Sequence, residues 1–533
     1  MSLGSLALNL MGVKEDDGHH EGFQIFHVEW SRVELPYVFF SWILITTFAK
    51  LGYNYLPLAK KLPESSIMIL FGLLIGVFLF LVNISAVVLT PDIFFLILLP
   101  PIIMEAGYFM PNRLFFDQLG TILLMAVVGT IFNMFTIGFS LYGLGKAGFY
   151  GDDLKNIEYL EVLLFGSLIA AVDPVAVLAV FQEIKVNMVL RIIVFGESLL
   201  NDGVAVVLYH MFESFEEMGE SAITPTDIVY GLISFIVVAG GGTVIGIIWG
   251  YVCALVTRLM KPVYLMEALI VISMAYMSYL TAEVFHMSGI LAITFCGITM
   301  KNYVEKNISE SSSITVRMGM HLLANVSEMT IFLFLGIVTI MNETHQWNSY
   351  FVLATIVCCC LWRVVGVFIL SKLANMIRIQ KINAIEQVIC MYGGLRGGVA
   401  FALVLSLHSP NKNLFVTTTL AMIFFTVFFQ GITIKPLVRL LRVKTRSATN
   451  VSMGERVTSR LMDLTKLGIG EIIGNTSEVP LIVRHMYKRV DKKFLSPLLL
   501  REKVQEPKFF QTFEYLLKED ALRGIQKTSD EHH

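Results

Sequence analysis

Thirteen separate stretches of this 533-residue chain are apolar enough to lie in hydrocarbon, and that number limits the fold more than any motif does. A window of about 19 residues marks them near 36–56, 66–84, 91–106, 118–145, 159–181, 188–212, 228–257, 262–285, 288–304, 314–341, 347–374, 384–408 and 413–441. The third is short and interrupted by Pro100-Pro101. A bilayer core is crossed by roughly 20 helical residues, and lipid offers no partner for a free backbone amide, so such segments must be helices. With 55% hydrophobic and 15% charged residues, the chain is not a large soluble enzyme. Its 40 basic and 42 acidic residues give no hint of nucleic-acid binding. The expected fold class is an all-α polytopic membrane protein.

An odd number of crossings puts the two termini on opposite sides. One set of alternate loops holds Lys50, Lys60, Lys61, Arg113, Lys185, Arg258, Lys261, Lys301, Lys306, Arg317, Lys372, Arg378 and Lys381, whereas the other has little beyond Lys146, Lys155 and Lys412. Basic loops stay in the cytosol, so the C-terminus is expected inside and the N-terminus outside. Sequons at Asn83 and Asn342 then face outward, where glycosylation is feasible. Residues 1–35 form an extracellular segment, whose short apolar patch, Leu3 to Met11, lacks the basic flank of a signal peptide. Residues 36–442 form the membrane domain and 443–533 a cytosolic tail. The six cysteines all lie in or beside spans and build no disulfide framework, and Cys358 to Cys360 read as packing residues.

With the seventh segment set aside as a linker, the first six and last six form two series of opposite orientation, the pattern of an inverted repeat. The fifth segment of each series is interrupted. The first reads LIAAVDPVAVLAV, where Pro174 opens the helix and Asp173 sits as N-cap of the half that follows. The second reads MYGGLRGGVAFAL, where four glycines loosen the chain around Arg396. Arg396 is expected to compensate the negative end of the half-helix preceding it, and Asp173 and Arg396 together to balance a crossing of broken helices. Taken singly, an Asp-Pro is often a kink and a Gly-rich span a packing site; their matching places argue for function.

The sixth segment, FGESLLNDGVAVVLYHMF, carries two carboxylates and an amide. At about 100° per residue, Glu197 shares a face with Asn201, and Ser198 with Asp202. Glu197 and Asp202 then diverge by roughly 140°, which suits different jobs. Glu197 is expected to pair with Arg363 and brace helices. Asp202 is expected to face a cavity with Asn201 and Ser198 nearby. A desolvated carboxylate is neutralised by a proton, because burial disfavours its charged form, or by a small hard cation. These occupants exclude each other, and if the loaded site alternates between the two faces the competition is antiport. No cofactor is needed. A channel would instead need a continuous polar pore. An intramembrane hydrolase using Ser198 would need the second glycine of a nucleophile elbow, which is missing, and the intact charged set argues against a transport-dead scaffold.

The motifs LLFGSLIAAVDPVAVLAVF, RIIVFGESLLNDGVAVVLYHMF, MYGGLRGGVAFALVL and FQGITIKPLV resemble the animal sodium/proton exchangers of solute carrier family 9. LPPIIMEAGYFMPNRLFF and SGILAITFCGI resemble the plasma-membrane branch, most of all its apical epithelial members. The resemblance runs from about Val28 to Arg442. It implies a cation/proton antiporter fold of about thirteen spans in two inverted six-helix repeats with crossed broken helices, homodimeric and elevator-like. It implies exchange of Na+ for H+, Na+ being bound at Asp202, with an organellar Na+(K+)/H+ exchanger as the alternative; because position 201 is Asn and not a second Asp, one titrating charge is expected and the exchange electroneutral. It matches Asp202 and Asn201 to the ion-binding pair, Asp173 and Arg396 to the crossing, and Glu197 and Arg363 to a pair joining two helices. Glu283, Ser288 and Glu328 align with positions linked to transport or inhibitor sensitivity. Two departures stand out: Ala205 replaces a usual threonine, and Glu105 a usual aspartate. In the tail, Met453 to Gly474 forms an amphipathic stretch, which the resemblance matches to the site of a calcineurin B homologous protein. Basic groups at Arg439 to Arg446 and Arg484 to Lys493 suit anionic lipid such as phosphoinositides.

Overall fold

The computed structural model describes residues 30–55, 62–82, 90–151, 157–173, 181, 188–219, 222–260, 264–341, 346–378, 381–441, 458, 461–462, 465, 486–487 and 489–501. Its principal helices are α1 (Trp30–Tyr55), α2 (Glu64–Leu81), α3 (Pro91–Phe109), α4 (Leu119–Lys146), α5 (Tyr159–Ile169), α6 (Met188–Met218) and α7 (Pro225–Leu259). They continue as α8 (Tyr264–Val284), α9 (Gly289–Asn307), α10 (Glu310–Met341), α11 (Ser349–Ile377), α12 (Ala384–Tyr392), α13 (Gly398–Ser406) and α14 (Lys412–Leu440). Among the described residues, nine helices are long and apolar enough to cross a membrane: α2, α3, α4, α6, α7, α8, α10, α11 and α14. The protein is an all-α polytopic membrane protein.

Two groups of helices pack mainly among themselves. The first, the scaffold group, holds α1, α2, α3, α7, α8, α9 and α10; the second, the crossing group, holds α4, α5, α6 and α11 through α14. Contacts of α6 with α7 and α9, and of α13 with α3 and α10, join them. Close packing in the scaffold depends on small residues, since lipid supplies no hydrophobic drive between helices. Where α2 crosses α10, a Cβ on Gly72 would lie 2.1 Å from the Leu333 carbonyl oxygen, and one on Gly336 would lie 2.4 Å from that of Ile69.

Pro100 and Pro101 do not break α3. A π turn over Phe94–Leu98 precedes them, in which the Leu99 amide reaches back five residues to the Phe94 carbonyl. The wider turn makes room for the pyrrolidine rings. The Leu96 carbonyl, which Pro100 cannot serve, accepts a 2.6 Å hydrogen bond from the Tyr276 hydroxyl of α8. Similar π turns interrupt α4 at Leu124–Val128 and α14 at Phe425–Gln430.

A short tail helix over residues 491–499 seats on the scaffold. Asn307 donates to the Leu499 carbonyl (2.8 Å) and accepts from the Arg501 amide (2.8 Å), while Tyr303 donates to Asp491 (2.7 Å). Arg501 also reaches the Met260 carbonyl (2.9 Å), so the tail touches the adjoining ends of α7 and α9. Of the expected amphipathic helix at 453–474, only Thr458, Leu461, Met462 and Thr465 are described, each as helical. Pro174, the sequons Asn83 and Asn342, the Leu3 to Met11 patch and Arg442 to Arg446 lie outside the described residues.

The α2–α10 crossing yields a stability prediction. Gly72→Ala and Gly336→Ala should each destabilise the purified protein by roughly 1–3 kcal/mol, because the added methyl meets backbone rather than a movable side chain. Gly143→Ala, with nothing within 4 Å of its added methyl, should melt like the wild type. Thermal melts in detergent compare the three.

Candidate functional site

Helix α5 ends at Ile169, and residues 171–173 leave the helical path. Helix α12 ends at Tyr392, and α13 begins only at Gly398. The two non-helical stretches meet in one antiparallel bridge, where the Asp173 amide donates to the Leu395 carbonyl at 2.7 Å. It is the sole isolated β-bridge among the described residues.

Each broken helix leaves carbonyls exposed at its C-terminal end, a concentration of negative partial charge. Two arginines meet them. Arg396 donates to Ala170 O (2.9 Å) and Ala171 O (2.8 Å), the end of α5. This corrects the expectation that it would serve the half-helix before it. That role falls to Arg363, whose guanidinium donates to Cys390 O of α12 at 2.9 Å. Each arginine thus reaches across from another element.

The next long helix after each break helps to satisfy its backbone. From α6, the Asn201 carbonyl oxygen accepts from the Val172 amide (2.8 Å), its NH2 donates to Ala170 O (3.3 Å) and to Thr130 Oγ1, and Ser198 donates to Val172 O. From α14, Thr426 accepts from the Arg396 amide (3.3 Å), and its hydroxyl lies between two acceptors, Ile423 O (3.1 Å) and Arg396 O (3.4 Å). Thr130 and Thr426 escaped the sequence reading. Threonines bonding the carbonyl four residues back are scattered through these helices, as at Thr136 and Thr294, and nothing in the sequence separates the two kinds.

A cavity of about 110 Å³ opens beside the crossing, between α3, α6, α10 and α13. Most of its wall is apolar, including Phe94, Ile103, Phe195 and Phe332, but Asp173, Ser198, Asp202 and Glu328 also line it. Asn201 does not; its amide is turned to the α5 backbone. Asp202 therefore faces the cavity with Ser198, as the helical spacing predicts, without the amide beside it. Three carboxylates in a small, mostly apolar space repel one another and favour an occupant that carries positive charge. Gly397 is the floor under Asp173: a Cβ there would sit 2.0 Å from Asp173 Oδ2. Its extended backbone (φ −136°) suits any residue, so glycine is required for space alone.

Glu197, on the other face of α6, forms a 2.5 Å ion pair with Arg363, and both are buried. Since Arg363 also holds the α12 carbonyl, this pair ties α6, α11 and α12 together. Glu283 and Ser288 are elsewhere. They line a second cavity of about 610 Å³, at the opposite end of α6, which Asp92, His210, Glu213 and Glu217 also line. Ser288 caps α9, its hydroxyl accepting from the Leu291 amide (3.4 Å). No group of three or more His, Cys, Asp or Glu placed to hold a metal ion occurs among the described residues.

Residues 43–440 match the family model described as sodium/hydrogen exchanger, transmembrane. The chain belongs to the sodium/hydrogen exchanger family. It is 46% identical over 536 residues to sodium/hydrogen exchanger 3 of Homo sapiens, covering 98% of this chain and 64% of that protein. It is 45% identical over 483 residues to sodium/hydrogen exchanger 2 of Oryctolagus cuniculus, covering 90% and 59%. The chain therefore spans less than two thirds of the length of these relatives. Its fold is similar to that of the sodium proton antiporter MjNhaP1 from Methanocaldococcus jannaschii, with a TM-score of 0.57 at 20% identity, over 75% of this chain and 99% of that one.

The Glu197–Arg363 pair can be tested apart from transport. Glu197→Ala strands a buried guanidinium and should cost about 3–5 kcal/mol. In a double-mutant cycle with Arg363→Ala, the losses in stability should be strongly non-additive; additive losses would show that the two do not interact.

Proposed function

We propose that this member of the exchanger family is an electroneutral secondary antiporter, not an enzyme, that takes up one extracellular Na+ for each cytosolic H+ released. The observation that carries the reading is Asp202, a carboxylate lining a small, mostly apolar cavity beside two crossed helix breaks. Proton and Na+ compete for it, with Ser198 and Asp173 beside it and Asn201 holding the adjacent backbone. The two helix-end arginines leave Asp202 as the exchanging charge, and position 201 is an amide rather than a second acid.

The finer architecture we propose is thirteen crossings in two inverted six-helix repeats. Its support is that, in both halves, the next long helix in the chain (α6, then α14) binds the broken backbone. Alternation would move the crossing group against the scaffold group, which share few contacts, as an elevator. Along α6 the cavity near Glu328 borders residues 195–202 and the cavity near Glu283 borders residues 206–217, and the two would serve the two faces. The scaffold would form a homodimer in the plasma membrane, with the N-terminus outside and the tail in the cytosol. Arg258, Arg501 and Lys306 gather at one end of the bundle, in keeping with that orientation. The tail is proposed to bind a calcineurin B homologous protein and anionic lipid. The resulting activity would regulate intracellular pH, sodium and volume.

Proton efflux from acid-loaded proteoliposomes, measured with Na+, Li+ and K+ in turn, tests the reading. Wild-type protein should respond to Na+, and Asp202→Asn should reduce the flux to that of empty vesicles while folding normally. Sodium-driven flux that survives in Asp202→Asn would remove Asp202 as the carrier. Stoichiometry gives a further prediction. With one charge exchanged for one, the sodium gradient reached at a fixed pH gradient should not depend on membrane potential. A second coupled charge would shift it, at roughly 2.3 kcal/mol per 100 mV.

A further inference from the structure

The amide of Asn201 can point two ways, and one neighbour decides between them. Thr130 follows the π turn of α4, is fully buried, and donates its one hydroxyl proton to Ala126 O at 2.5 Å. Its oxygen is then left only as an acceptor. Asn201 must present NH2 to it, and the same NH2 also meets Ala170 O. The Asn201 oxygen is thereby the atom that faces the Val172 amide. Rotating the amide by half a turn would set its oxygen against two acceptors and its NH2 against an N–H, losing all three hydrogen bonds at once.

We propose that Thr130 is a positioning residue for the exchange site: through the Asn201 amide it sets the register of Val172, and so the placement of Asp173 and Ser198 around the Asp202 cavity. Val172 is held at both ends, its N–H by Asn201 and its C=O by Ser198. The next residue, Asp173, lines the cavity and makes the bridge to Leu395. A threonine one helix away from the cavity therefore controls two residues that line it. It follows that Asn201 does not turn its oxygen to the cation while Thr130 holds it, since the Val172 amide would lose its partner in a dry interior. This inference rests on the exchanger reading for its ligand, Na+.

Thr130→Val keeps the shape and removes the hydroxyl. The expected result is a roughly tenfold rise in the KM for Na+, equivalent to about 1.4 kcal/mol, with a smaller change in maximal rate. Thr130→Ser should restore the wild-type KM. A purely structural role would lower the amount of active protein and its maximal rate and leave KM alone. A second measurement is the rise in melting temperature caused by Na+, which needs binding but not exchange. Its midpoint should move to about tenfold higher Na+ in Thr130→Val and return in Thr130→Ser. Should Thr130→Val not accumulate, Thr130→Ala is measured in the same way. A wild-type KM and a wild-type Na+ midpoint in the hydroxyl-free variant would overturn the proposal. Loss of Na+-driven flux in the wild type itself would instead overturn the exchanger reading, and the melting midpoint would still judge Thr130.

Discussion

Two helices that stop inside a membrane domain pose a single problem: their freed N–H and C=O groups have no water to bond. The antiparallel contact between Asp173 and Leu395 is where that problem is solved, and the rest of the crossing group is arranged around it. One pair of groups is satisfied by the bridge itself. The helix-end carbonyls are taken by Arg396 and Arg363, and the extended residues by Asn201, Ser198 and Thr426. Each of these side chains comes from a different part of the chain than the backbone it serves. The freed backbone groups are therefore satisfied only when α6, α11 and α14 are packed on the break, which makes the finished site a product of assembly.

The same arrangement decides which charges are available for chemistry. An arginine committed to backbone carbonyls cannot also neutralise every acid nearby. Arg363 has one further partner, Glu197, on the face of α6 away from the cavity. Asp202, on the cavity face, shares its space with Asp173 and Glu328 instead. The difference between a bracing carboxylate and a cation-seeking one comes from about five residues along one helix, less than a turn and a half.

Helix irregularities elsewhere serve the same end. Among the described residues, the three π turns of the membrane helices lie close to the crossing or its cavity: Phe94 borders the cavity, Thr130 follows the turn in α4, and Thr426 lies within the turn in α14. A widened turn changes which side of a helix its residues present. In α3 it also accommodates two prolines, and the carbonyl that Pro100 leaves without a donor is met by Tyr276. In α14, the Val427 carbonyl of the widened turn likewise accepts a hydrogen bond from Ser66 of α2 (3.2 Å).

The sequence by itself determined the class of fold, because only helices keep thirteen apolar runs satisfied in lipid, and apolar length is a local property. It also determined where the helices break, since proline and clustered glycine act on their own backbone, and which face of α6 each acid occupies, since helical spacing is fixed. Composition could not show that α3 runs through Pro100-Pro101, because the π turn that permits it depends on the neighbours around it. The pairing of arginines with helix ends was likewise decided by tertiary structure. Arg396 lies next to α12 in the chain, yet it serves the end of α5, while Arg363 of α11 holds the end of α12. Glu328 reaches the Asp202 cavity while Glu283 and Ser288 line another, although all three lie far from Asp202 in sequence. Thr130 shows no local sign of its contact with Asn201, a partner 71 residues away. Periodicity records which way a side chain points along its own helix; only packing decides what it meets.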